Sequence, residues 1–320
     1  MEHPAYGLLR PVTDTASVLL CENPGIMTLE GTNTWVLRGT GTDEMVVVDP
    51  GPDDKDEHIE RLAALGPLPP YARLGAAAHS VRGVPADQLP ALAEWASTRD
   101  APLHAHVSEQ VAENEQCVAA YGRTPVGVLA DAGMLGERFS AVHATHLSLR
   151  DITTLGQSRS VACFCPTTER DLADGIGPAR GLVDAGSPLS LGSDSHAVID
   201  LFEEARAVEL NTRLATQQRG HFTATELLQA ASNDGHRSIG WDDAGEIRVG
   251  ARADLVAIDS RSVRTAGFVP SSGTETLVFA AGAPDVTDVV IDGVPVVRAR
   301  RHQLVDDVPR EIAAAIGDLT

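Results

Sequence analysis

Short apolar runs dominate the first part of the chain. "TASVLLCENPG", "NTWVLRGTG" and "EMVVVDPGP" are each cut off by Gly, Pro or Asn, the pattern of short strands joined by turns. A helical period follows in "DEHIERLAALG" and ends at Gly66, after which "PLPP" at 67–70 breaks any regular structure. From about residue 72 the rhythm changes to short apolar strands alternating with longer amphipathic helices. The strands are "RLGAAAHS", "PLHAHVS", "FSAVHATHL", "SVACFCPT" and "PLSLGSDS"; between and after them stand the helical stretches "ADQLPALAEWAST", "EQVAENEQCVAAYG", "LRDITTLGQS", "PARGLVDAG" and "LFEEARAVELNTRLATQQ". That alternation predicts βα units around a parallel sheet. Past residue 244, "GEIRVGARADLVAID" and "VTDVVIDGVPVVRARRHQLV" alternate apolar and polar positions around Gly turns, and "PREIAAAIGDL" predicts a short closing helix. Three regions result: a β-rich segment over 1–66, an α/β region over 67–243 and a small β portion with a terminal helix over 244–320.

Charge narrows the partners. The 320 residues carry 45 acidic against 25 basic side chains, a formal charge of −20 that repels nucleic acid and anionic lipid. A small-molecule substrate is the expected partner. Lys55 is the only lysine, so Schiff-base and phosphate-loop chemistry has almost no candidate. No apolar run of membrane-spanning length and no basic, apolar leader occurs, so the expected location is the cytoplasm. Four scattered cysteines do not suggest a disulfide framework. Cys163 and Cys165, in "SVACFCPTT", read as packing residues whose thiols share one face of a buried strand.

The last polar residues of the successive strands are His79 with Arg82, His106 with Glu109, His143 with His146, Thr167 to Glu169, and Asp194 with His196. An α/β barrel carries its chemistry at those strand ends. His106 and Asp194 are suitable ligands for Zn²⁺ or a similar divalent ion, which acidifies water. Asp194 can also accept a proton, His143 can hydrogen-bond the attacking water, and Glu109 can carry a proton to a leaving nitrogen. His79 and Arg82 suit an anionic group on the substrate, since a guanidinium offers a bidentate fork to a carboxylate.

With these residues in view, the chain from about 72 to 310 resembles the amidohydrolase superfamily, and most closely its formimidoylglutamate deiminases. The strings that carry the resemblance are "GAAAHSVRGVP", "HAHVSEQ", "VHATHL", "CPTTERDLADGI", "GSDSHAVIDLFEEARAVE" and "GARADLVAID". It implies a (β/α)₈ barrel flanked by a β-sandwich, and one catalytic ion, usually zinc. The implied ligands include His106 and Asp194. Glu109 is then the proton carrier, His143 stands beside the water, and His79 and Arg82 fall on substrate-recognition positions. The implied reaction is hydrolysis of N-formimidoyl-L-glutamate to N-formyl-L-glutamate and ammonia.

One part of that pattern is missing. The superfamily takes two further ligands from an H-x-H at the end of the first barrel strand, and no such pair precedes residue 104; only His3 and His58 precede the strand with His79. In its place, residues 16–66 resemble the opening of metallo-β-lactamase-fold hydrolases in "NPGIMTLEGTNTWVLRG" and "VVVDPGP", without that family's H-x-H-x-D-H motif. Asp49 and His58 are the only nearby replacement ligands, and Asp49 reads as a strand-end turn former. The expected fold is therefore α/β: an incomplete amidohydrolase-type barrel of strands 4–8, a small C-terminal β-sandwich portion and a β-rich N-terminal segment. An open edge of parallel strands invites pairing with the N-terminal strands or with a second subunit as a homodimer. The alternatives are a catalytically inactive fusion or truncation product and, more remotely, a metallo-β-lactamase-like hydrolase.

Overall fold

The computed structural model describes residues 8–11, 16–20, 33–38, 45–48 and 71–317, and the chain divides into two compact units, Met1–Arg73 and Leu74–Thr320. In the first unit, β1 (Leu9–Pro11), β2 (Ala16–Leu20), β3 (Asn33–Arg38) and β4 (Met45–Val48) form an antiparallel meander in chain order. The β-branched run Val46–Val48 and the Trp35–Leu37 run pair in register, Trp35 opposite Val48 and Leu37 opposite Val46. The helix expected in "DEHIERLAALG", with Asp49 and His58, lies outside the described residues.

The second unit holds a five-stranded parallel sheet: β5 (Ala76–Ala78), β6 (Leu103–Val107), β7 (Phe139–His143), β8 (Val161–Phe164) and β9 (Leu189–Leu191), also in chain order. Side chains two apart share a face, and the register lines up Leu103 with Phe139 and Ala105 with Ala141 and Ala162. That row, with Phe164, packs against Leu89, Leu129, Leu155 and Leu182 of the covering helices, and all of these are buried. The opposite face presents His104, Ser140, Cys163 and Ser190. One face is thus an apolar core and the other is the polar inner wall of an open, partial α/β barrel.

Helices Leu89–Thr98, Val111–Tyr121, Leu149–Gln157, Ala179–Ala185 and Leu201–Thr216 fall where the periodicity predicts them. Local chemistry sets their ends. Ser148 and Asp151 form a capping box, and Asp200 accepts the Phe202 and Glu203 N–H groups ahead of Leu201. Among the described residues no helix is long and apolar enough to cross a membrane.

Two expectations of the pattern are corrected. The strand expected over "SVACFCPT" stops at Phe164, and Pro166 opens the helix Pro166–Asp171, so Thr167, Thr168 and Glu169 are first-turn residues and not a strand end. Proline's fixed φ and missing N–H favour that first-turn position. Past residue 244 the chain is not only strands. The antiparallel sheet β10 (Leu255–Ile258), β11 (Val286–Ile291), β12 (Val294–Arg298) and β13 (Arg301–His302) is interrupted by helix Gly273–Phe279, whose Val278 is buried in the core of the barrel helices. The chain closes on helix Val308–Gly317, as the pattern predicts.

Candidate metal centre

The ends of β5 to β9 converge. Past β5, the His79 carbonyl accepts both the backbone N–H of His106, at 3.0 Å, and its ring Nδ1–H, at 2.7 Å. A carbonyl only accepts, so this bond fixes the tautomer and leaves the His106 Nε2 lone pair open for a metal ion. His104, two residues earlier on the same face, instead donates from Nε2 to the Ser238 carbonyl at 2.9 Å and braces the strand. The His106 ring lies 5.0 Å from that of His79 and stacks on that of His143 at 5.5 Å.

His143 is the centre of the cluster. By strand alternation it belongs to the row of Val107, but its φ of 67°, followed by 48° at Ala144, breaks the strand in the left-handed region. Ser108 and Asp194 at the neighbouring strand ends are left-handed too, with φ of 52° and 51°. Non-glycine residues held this way cost energy and gather at functional sites. The His143 ring is fully buried. Its Nδ1 faces Glu169 Oε1 at 3.4 Å, and its Nε2 lies 3.8 Å from Glu109 Oε1 and 3.6 Å from Asp194 Oδ2, yet has no hydrogen-bond partner. Burial acts to lower the His143 pKa, but the bond to Glu169 and the charges of Glu109, Glu169 and Asp194 raise it overall.

Glu109 stands in the turn after β6. Arg82 Nη2 donates to its Oε2 at 2.6 Å, a pairing that adjacency along the chain does not reveal. Burial acts to raise the Glu109 pKa, and the Arg82 bond with the charges of His143, Arg82 and His106 outweighs it, holding the carboxyl below its usual range. Glu113 positions this turn: its buried carboxylate accepts the N–H groups of Ser108, at 3.1 Å, and Glu109, at 2.9 Å. The sequence signal for it is an acid four residues beyond a motif glutamate in a first helical turn, which reads equally well as a helix-dipole residue.

The other polar residues that the sequence pattern singles out hold the site and stand away from its centre. Thr168 Oγ1 donates to the Ser193 carbonyl at 2.7 Å and accepts the His196 N–H at 3.0 Å, fixing the loop that carries Asp194. Thr167 is bonded through N–H and Oγ1 to the buried Glu204. His146 donates from Nε2 to the Asp174 carbonyl at 2.7 Å, and His196 turns its Nδ1 to the Val198 N–H of its own loop. The donor atoms of His143, Cys165 and Asp194 lie within 4.8 Å of one another. A buried imidazole nitrogen without a partner, beside a carboxylate and a thiol, fits a divalent ion such as zinc.

Comparison with known proteins agrees with this architecture. The chain is 33% identical over 271 residues to formimidoylglutamate deiminase of Pseudomonas aeruginosa, an alignment covering 82% of this chain and 59% of that one. It is 32% identical to 5-methylthioadenosine/S-adenosylhomocysteine deaminase of Pelotomaculum thermopropionicum, over 77% of this chain and 54% of that protein. Among solved structures, an adenosine deaminase from Xanthomonas campestris with bound zinc superposes with a TM-score of 0.76 at 29% identity, covering 82% of this chain and 61% of that one. The chain thus spans a little over half the length of these relatives. The model of the amidohydrolase family matches residues 49–296, most of the polypeptide. The chain belongs to the amidohydrolase family.

Proposed function

We propose that the chain is a metal-dependent C–N hydrolase of the formimidoylglutamate deiminase type, converting N-formimidoyl-L-glutamate and water into N-formyl-L-glutamate and ammonia. The observation that carries this reading is the approach of two carboxylates, Glu109 and Asp194, to the buried, unpartnered Nε2 of His143. His106, with its Nε2 free by tautomer, and Asp194 are the proposed metal ligands. A divalent ion held there supplies a Lewis acid that lowers the pKa of water.

The chain's own groups then handle the protons. Asp194 takes the first proton from the attacking water as its oxygen bonds to the imino carbon. His143 Nε2 orients that water. Two protons must reach the nitrogen. Glu109 first passes on the one taken up by Asp194, as the imino nitrogen becomes an amine. It then carries the hydroxyl proton of the tetrahedral adduct to that nitrogen as the C=O bond forms, the C–N bond breaks and ammonia leaves. His79 and Arg82 recognise the substrate carboxylate. While Arg82 is bonded to Glu109 it keeps that carboxylate a weak base, so transfer of the guanidinium to a substrate carboxylate makes Glu109 more basic when substrate is present.

Ammonia release from N-formimidoyl-L-glutamate with added Zn²⁺, compared between the wild type and Asp194→Asn, tests the proposal. Turnover should be lost in the variant, and equal signals from both proteins would refute it and favour an inactive chain. A second reading, a purine-nucleoside deaminase, rests on the deaminase relatives and the adenosine deaminase superposition. Ammonia release from 5′-methylthioadenosine and not from the formimidoyl substrate would select it.

A further inference from the structure

We propose that Cys165 is a protein ligand of the metal ion in this site, its thiolate acting together with the Asp194 carboxylate and with His143 Nε2, which on this inference binds the ion itself and no longer orients the water. The inference rests on the reading of the site as a divalent metal centre and adds a donor that the family resemblance does not assign. No H-x-H precedes residue 104 in this sequence, and two donors alone would hold an ion poorly and leave its geometry unfixed. Three donor atoms from three adjacent strand ends already lie within 4.8 Å of one another, and Cys165 is one of them.

The surroundings are built around these donors. Cys165 is 2% exposed and occupies the junction where β8 has ended and Pro166 opens a helix. Its N–H donates to Glu169 Oε1 at 2.8 Å, and the same oxygen faces His143 Nδ1 at 3.4 Å. One buried carboxylate thereby orients both the cysteine backbone and the imidazole. Accepting from Nδ1, it leaves His143 Nε2 as the lone pair that points into the site, the arrangement by which outer carboxylates orient metal-bound histidines. That nitrogen is fully buried and has no partner, so the cluster is short of one positive group. Gly192, whose Cβ would come within 3.2 Å of Cys165 Sγ, keeps the thiol and the Asp194 loop from colliding. Binding breaks the Cys165 S–H bond, forms a metal–sulfur bond and releases the proton to solvent. A thiolate in the set favours Zn²⁺, Co²⁺ and Cd²⁺ over Mg²⁺ and Ca²⁺.

Titration of the metal-free, full-length protein with Co²⁺, followed by absorption, tests the proposal. The wild type should develop a near-ultraviolet thiolate-to-cobalt charge-transfer band together with visible ligand-field bands. Cys165→Ser should lose the charge-transfer band and bind Co²⁺ about tenfold or more weakly, whereas Cys163→Ser, altering the thiol hydrogen-bonded beside it, should keep the band. X-ray absorption of the zinc-loaded wild type provides a measurement independent of any variant's folding, and should show one sulfur at about 2.3 Å. Ligand-field bands without charge transfer, a band that survives in Cys165→Ser, or a zinc shell of nitrogen and oxygen alone would overturn the Cys165 assignment while leaving a metal-dependent hydrolase intact. Absence of any Co²⁺ or Zn²⁺ binding would overturn both.

Discussion

At the scale of single residues, the chemistry of this site is set by a few buried carboxylates that touch backbone rather than substrate. Glu113 is the clearest case, because its two oxygens satisfy the N–H groups of Ser108 and Glu109 at the turn where Ser108 adopts a φ of 52°. Replacing it with Ala leaves two buried donors unpaired, which costs about 1–3 kcal/mol per group. Glu113→Ala should lower the urea midpoint by a corresponding amount and reduce kcat, since it moves the Glu109 carboxylate, and it should also raise KM, since Glu113 Oε2 lies 3.8 Å from Arg82 Nη2. Glu113→Gln, which retains one acceptor oxygen, should recover part of both losses. Unchanged kcat in a folded Glu113→Ala protein would show that the turn holds its shape without the carboxylate.

At the scale of elements, helix Leu149–Gln157 packs closely against the end of helix Ala179–Ala185. A Cβ on Gly156 would overlap the Ala185 carbonyl and Cβ, so Gly156→Ala should cost about 1–3 kcal/mol by forcing those backbones apart, measured by urea unfolding. A second element-scale prediction concerns the turn Ala283–Asp285 before β11. The buried Asp285 carboxylate accepts from Arg264 Nε at 2.8 Å, Arg264 Nη2 at 3.0 Å and the Gly282 N–H at 3.0 Å. The Arg264 bonds hold its pKa far below the usual carboxylate range. A folded pKa depressed in this way gives stability that is fully present above the unfolded carboxylate value and is lost as pH falls through the folded one. Asp285→Asn should therefore lower the Tm at neutral pH, and its deficit should shrink below about pH 4. A deficit independent of pH would mean that shape alone matters at this turn. The strands β5 to β9 and the helices Leu89–Thr98, Val111–Tyr121, Leu149–Gln157 and Leu201–Thr216 are legible in the sequence, because alternation and 3.6-residue periodicity are local signals, and the seven-residue helix Ala179–Ala185 is legible from the Gly186 that ends it. Helices Pro125–Asp131, Ala224–Ala230 and Asn233–Ser238 are six or seven residues long, too short to show a period, and they depend on caps such as Thr124 and Thr223 and on packing. The residue types at the strand ends are legible as well. The Arg82–Glu109 pair, the shared Glu169 oxygen and the left-handed turn at His143 are not, since each arises from contacts between residues 26 or more positions apart or from backbone strain that tertiary packing imposes.

At the scale of the whole molecule, the charge of −20 and the metal centre act on stability through different physics, and the two can be separated. Self-repulsion among 45 acidic and 25 basic groups is long-ranged and unspecific, so monovalent salt, with a screening length of about 10 Å at 0.1 M, should raise the Tm alike in the wild type and in Asp194→Asn. Zinc bound to the folded state acts by mass action instead. At about 100 times its Kd it adds about 2.7 kcal/mol, and in a domain of this size each kcal/mol raises the Tm by about 2–4 °C. The eleven histidines and four cysteines also bind zinc in the unfolded chain, so the measured gain should fall somewhat below that figure. Zinc added at constant ionic strength should therefore raise the wild-type Tm by several degrees, and EDTA should reverse the rise. Asp194→Asn should keep the response to NaCl and lose most of the response to zinc. An equal zinc shift in both proteins would place the stabilising ions on the acidic surface, and the cluster around His143 would then contribute nothing to zinc affinity.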